Sequence, residues 1–109
     1  MLDDLITALD GTGYAFARYA WSKAPEGDYG TWAEYGESNL WAAGRMQEQD
    51  MIGVVEYFTR DATGTPRKTI EAAFAAADVS WTLDNVGFEP ESGYIHYIWT
   101  FEVPEEQHG

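Results

Sequence analysis

Asp61-Ala62-Thr63-Gly64-Thr65 sets a carboxylate just ahead of a Thr-Gly-Thr turn, a local order that suits an aspartyl nucleophile in phosphoryl transfer. That chemistry needs a Lys beside the Asp, and further charged groups to hold Mg²⁺ and the phosphoryl oxygens. Ala62 stands where the Lys would be, and the remaining groups have no counterpart, so the segment reads as a turn. Gly11-Thr12-Gly13 lacks the third Gly and the preceding strand of a dinucleotide-binding fingerprint. His96 and His108 are the two histidines, and neither has a metal or catalytic partner at a useful spacing. His96 is expected on the solvent side of a strand, and His108 in a polar tail. No Ser sits in a nucleophile elbow, no Gly-rich loop precedes a Lys, and the acids are dispersed. Cysteine is absent, which excludes disulfides and thiolate zinc sites. The expectation is a chain with no turnover, no metal and no cofactor.

The elements that would position any site follow from periodicity. Leu2, Leu5, Ile6 and Leu9 recur at helical spacing among Asp3, Asp4 and Asp10, and the early acids suit the positive end of the helix dipole. Gly11-Thr12-Gly13 ends that helix, and Tyr14 to Trp21 reads as a strand. A Pro/Gly loop from Lys23 to Gly30 leads to a second strand over Thr31 to Glu37, and a third runs from Met46 to Arg60. Between them, Ser38 to Gly44 breaks strand periodicity while holding Leu40 and Trp41. Thr65-Pro66 reads as a cap followed by Pro at the first helical position, with Ile70, Ala73, Phe74 and Ala77 continuing at helix spacing. Val79, Trp81 and Leu83 alternate with polar residues, as do Ile95, Tyr97, Trp99, Phe101 and Val103, so two half-buried strands flank a hairpin connector over Gly87 to Gly93. Trp21, Trp32, Trp81 and Trp99 are expected to pack in the core or on a sheet face. After Pro104 the tail is polar and expected to be mobile. The order predicts one α+β domain over residues 1–109: a mostly antiparallel sheet of about five strands, with the N-terminal helix and the second helix packed on one face.

The charge bounds the partners. Nineteen acids against six bases give −13, a surface that repels phosphate and argues against specific nucleic-acid binding. No stretch approaches the roughly 18 apolar residues of a membrane span. The acidic N-terminus is unlike a secretory signal. Arg67 and Lys68 occupy the first turn of the second helix, where the dipole disfavours cations, so an acidic partner is expected there.

Taken together, the chain resembles the small tail-terminator or tail-completion proteins of siphophages and Gram-positive prophages. The features that carry this are the leading helix with Gly13 to Phe16, the loop into Tyr29 to Tyr35, and Glu37-Ser38-Asn39-Leu40-Trp41-Ala42-Ala43-Gly44. They continue in Val54 to Thr59 and in the last helix with its closing strands, ending Tyr97 to Val103. The resemblance covers Leu2 to Val103 and rests on order and texture; the segment Leu40 to Gly44 carries fewer polar groups than the family pattern. It implies a structural protein of the virion tail, made in the bacterial host cytoplasm. Such a protein forms a ring, expected to be a hexamer, that caps the tail-tube protein and joins the head through its completion or connector protein. On this reading Asn39, Leu40 and Trp41 form a contact loop, and Arg60, Arg67 and Lys68 form a basic pole that meets an acidic neighbour.

Two other readings stand beside it. A small acidic, aromatic-rich domain suits an immunity or inhibitor protein that neutralises a basic toxin or nuclease. A Trp-lined small-molecule pocket would need convergent polar groups that the sequence does not display.

Overall fold

The computed structural model describes residues 2–37 and 51–103. Its elements run α1 (Leu2–Gly11), β1 (Phe16–Arg18), β2 (Tyr29–Glu37), β3 (Met51–Thr59), α2 (Thr65–Ala76), β4 (Ser80–Glu89) and β5 (Tyr94–Val103). The five strands form one sheet in the order β1-β2-β3-β5-β4. The last strand in sequence therefore sits inside the sheet, and β4 forms one lateral edge.

The α+β class with two helices holds, but the sheet is mixed and not mostly antiparallel as expected, because β1 pairs parallel with β2. The cause is local. Tyr19 takes a left-handed φ of 70°, which ends β1 after Arg18. The segment with Pro25 and Gly27 then carries the chain back to the end from which β1 started. β1 is thus three residues long, far short of Tyr14 to Trp21, and Trp21 lies outside any strand, its indole N–H donating to Gly30 O at 2.8 Å.

Both helices lie on one face. Leu5 and Leu9 of α1 and Ile70, Ala73 and Phe74 of α2 join Trp32, Val55, Tyr57, Tyr97, Trp99, Phe101 and Val103 in a single buried cluster. Full burial of side chains of this size contributes about 1.5–3 kcal/mol each, so the aromatic rows carry most of the core. Two glycines permit it. A Cβ on Gly30 would strike the Phe16 ring, and one on Gly53 would strike Ala33 O and the Phe101 ring. The α1 terminus follows the expected logic, with Thr12 Oγ1 donating to Leu9 O at 2.6 Å and Gly13 at φ 83°.

α2 begins differently from expectation. Gly64, at φ 86°, is its N-cap and makes no side-chain hydrogen bond, while Thr65 is already helical. β4 also runs further than the alternation over Val79 to Leu83 predicted, reaching Glu89. A β-bulge between Leu83 and Asn85 inserts one extra residue, Asp84. Leu83 faces Trp99, and beyond the bulge Val86 faces Tyr97 and Phe88 faces Ile95, so the apolar side chains stay on the helix face after a one-residue offset.

Candidate functional site

The exposed large apolar side chains of the described residues lie at the two lateral margins of the sheet. Among the described residues, the large hydrophobic side chains left open are Tyr19 (59% exposed), Tyr35 (73%), Trp81 (37%), Val86 (49%) and Phe88 (64%). Trp81, Val86 and Phe88 all belong to β4, whose outer side has no partner strand among the described residues. α2 covers the sheet near Trp81, whose ring lies 5.5 Å from Phe74, but Val86 and Phe88 extend beyond it. Tyr19 follows β1, and Tyr35 sits at a bulge in β2 between Glu34 and Gly36. β1 pairs with β2 only from Gly30 to Trp32, so the outer side of β2 from Ala33 onward is open among the described residues.

The margins differ in charge. No Lys or Arg follows Lys68, so β4, β5 and their turn supply Asp84, Glu89 and Glu91 but no Lys or Arg of their own, Arg60 reaching the turn from the end of β3. The opposite margin has Arg18 and Lys23. Arg18 is half-exposed, bonds to the Glu34 carboxylate and lies over the Tyr19 and Trp32 rings at 4.9 and 5.4 Å. The Glu34 carboxyl is held below the usual carboxylate range by that hydrogen bond, and the Arg18 guanidinium is raised by it in turn.

The face away from the helices carries a ladder of half-buried rings. Tyr29 stacks on Phe58 at 4.7 Å and Phe58 on His96 at 4.0 Å, while His96 Nε2 lies 2.7 Å from Glu56 Oε1. His96 is therefore packed and partnered, not left to solvent as the sequence suggested. Ile52, Val54 and Ile98 lie on the same face, outside the buried cluster.

Asp61 is committed to its turn. Its Oδ1 accepts the Thr63 N–H at 2.8 Å and the Thr63 hydroxyl at 2.6 Å, which keep the carboxyl below its ordinary value. Thr63 Oγ1 in turn accepts the Thr65 N–H at 3.2 Å, so the segment serves to start α2. Among the described residues no group of three His, Cys, Asp or Glu is placed to hold a metal ion. A hollow of about 100 Å³ between Ile52, Trp81, Thr82 and Thr100 falls well short of the ~300 Å³ of small ligand sites. A larger depression beside Phe88 to Ser92 is lined by that one hairpin and is open to solvent.

Three of the six residues expected at an interface, Arg60, Arg67 and Lys68, are among the described residues. Asn39, Leu40 and Trp41 lie outside the described residues, as does His108. Arg60 is not free: its Nε donates to Ser92 O at 2.8 Å and its guanidinium lies 4.1 Å above the Tyr94 ring, tying β3 to the β4–β5 turn. Arg67 pairs with Glu71 one turn along α2 at 3.1 Å. Lys68 shows no side-chain ion pair among the described residues, so of the three expected bases it is the one whose charge is still open. Sequence reasoning missed Tyr19, Tyr35, Val86 and Phe88. For the last two a signal existed, since Val86 and Phe88 resume the β4 alternation one residue out of phase.

A scan against protein-family models finds no match to this chain, and a search of curated proteins finds none either.

Proposed function

We propose that the chain is a structural subunit of a phage or prophage tail, a tail terminator that assembles as a ring on the end of the tail tube and offers the surface to which the head is joined. The observation that carries this reading is the division of the exposed apolar side chains of the described residues between two different margins of one sheet. A subunit that performs chemistry concentrates its unusual residues in a cleft; a subunit that builds a ring displays two unlike surfaces, each made to meet the other. The charge fits a conduit. At −13 per chain, multiplied around a ring, the passage does not adhere to the phosphate backbone that moves through it. The ring contains six copies on the family resemblance, and it works without turnover, metal or cofactor.

The test is genetic and structural. In a phage or prophage that encodes the chain, its gene is deleted and the lysate is viewed by electron microscopy. Overlong tails with unattached heads, restored to normal by the wild-type chain in trans, support the reading. Normal, head-joined tails from the deletion overturn it.

A further inference from the structure

We infer that the ring closes through the sheet itself, with β4 of one copy pairing antiparallel against the β1–β2 margin of a second copy. The inference rests on the self-associating ring proposed above and names the surfaces that build it.

Backbone comes first. Among the described residues β4 is ten residues long, is paired on one side only, and contains neither Lys nor Pro, two of the residues that block an edge strand, the bulge at Asp84 being its one interruption. At the other margin β1 is short and leaves β2 open from Ala33 among the described residues. Two free edges on one sheet are what a head-to-tail contact consumes. Each margin also carries exposed apolar side chains, Val86 and Phe88 toward the Glu89 end of β4 and Tyr19 and Tyr35 on the β1–β2 margin.

Strand direction then fixes the geometry. β1 and β2 run together, β3 runs opposite, β5 returns and β4 reverses again. Continuing the sheet into an identically oriented second copy therefore sets β4 against an oppositely directed β1, which is antiparallel pairing, the more stable of the two.

Charge selects this contact over a two-fold one. A symmetric β4-to-β4 contact is also antiparallel, but it brings the Asp84 carboxylates of two copies toward one another on strands that contain no Lys or Arg. The head-to-tail contact instead sets Asp84, next to Leu83, level with Arg18 of β1, whose guanidinium is half-exposed beside Glu34.

The experiment uses the full chain and two edge variants, Val86→Lys/Phe88→Lys on β4 and Tyr19→Lys/Tyr35→Lys on the other margin. All four side chains are already exposed, and melting curves verify that both variants fold; Phe88→Lys alone replaces the β4 variant if the pair melts early. Light scattering after size exclusion reads the mass. The wild type is expected to exceed the 12.2 kDa of one chain, and each variant alone to remain at it. An equimolar mixture of the two is expected to give a species of twice that mass, because each variant keeps one native edge. A dimer formed by the Tyr19→Lys/Tyr35→Lys variant alone would mean a two-fold β4 contact and overturns the inference. Assembly that survives both variants places the interface elsewhere, which overturns the inference and leaves the ring standing. A monomeric wild type overturns both.

Discussion

Trp99, fully buried at the centre of the sheet, donates its indole N–H to Glu71 of α2 at 2.9 Å, and the same carboxylate oxygen takes Arg67 at 3.1 Å. This one carboxylate links the helix to the sheet, because a buried N–H without an acceptor costs about 1–3 kcal/mol. Glu71→Ala should therefore destabilise the fold by about that amount, while Glu71→Gln, which keeps an acceptor oxygen, should lose less than half as much. Urea unfolding midpoints for the two variants check the order. Equal losses would mean that the Arg67 pair matters more than the indole.

Gly53 lies where the Phe101 ring crosses β3. Gly53→Ala forces either that ring or the Ala33 carbonyl to move, and overpacking of this kind costs about 1–3 kcal/mol. Gly11→Ala, where an added Cβ meets nothing nearby, serves as the control and should change the melting temperature little.

The bulge at Asp84 makes opposite predictions for two neighbouring deletions. Removing Asp84 erases the bulge yet keeps Val86 opposite Tyr97 and Phe88 opposite Ile95, so the hairpin should fold with near-native circular dichroism. Removing Val86 instead puts Gly87 opposite Tyr97 and turns Phe88 to the other face, which should broaden or abolish cooperative melting.

Tyr57 is wholly buried, and burial, helped by nearby Asp28, raises its phenol above the ordinary value. The folded state thus holds this proton more tightly than the unfolded chain. The resulting stability is fully present below the unfolded phenol value of about 10 and is lost as pH rises through the higher folded value. Burial raises Tyr29 as well, though it lies on the half-exposed face. Tyr57→Phe should flatten the alkaline unfolding limb followed by circular dichroism, with no change near neutrality beyond the small cost of the lost hydroxyl. An unchanged alkaline limb would assign it to other groups.

The sequence by itself determined the class of this protein. Leu5 and Leu9, and Ile70, Ala73 and Phe74, recur at helical period, and Tyr97, Trp99, Phe101 and Val103 alternate without interruption, so two helices and the buried face of β5 were legible from local periodicity. The acid excess was legible too, as a sum that does not depend on the fold. What the tertiary structure decided depends on which strand lies beside which. Trp81 and Trp99 sit in similar alternating patterns, yet Trp99 is sealed because β5 has neighbours on both sides, while Trp81 is more open because β4, among the described residues, has one. The parallel β1 pair turned on a single left-handed residue, Tyr19, of a type that rarely takes that conformation, and the Asp84 bulge hid Val86 and Phe88 by shifting their phase. Neither event has a strong local signature, because each is stabilised by contacts with residues distant in the chain. The margins that make up the candidate site are for that reason a property of strand order, which periodicity along one strand does not encode.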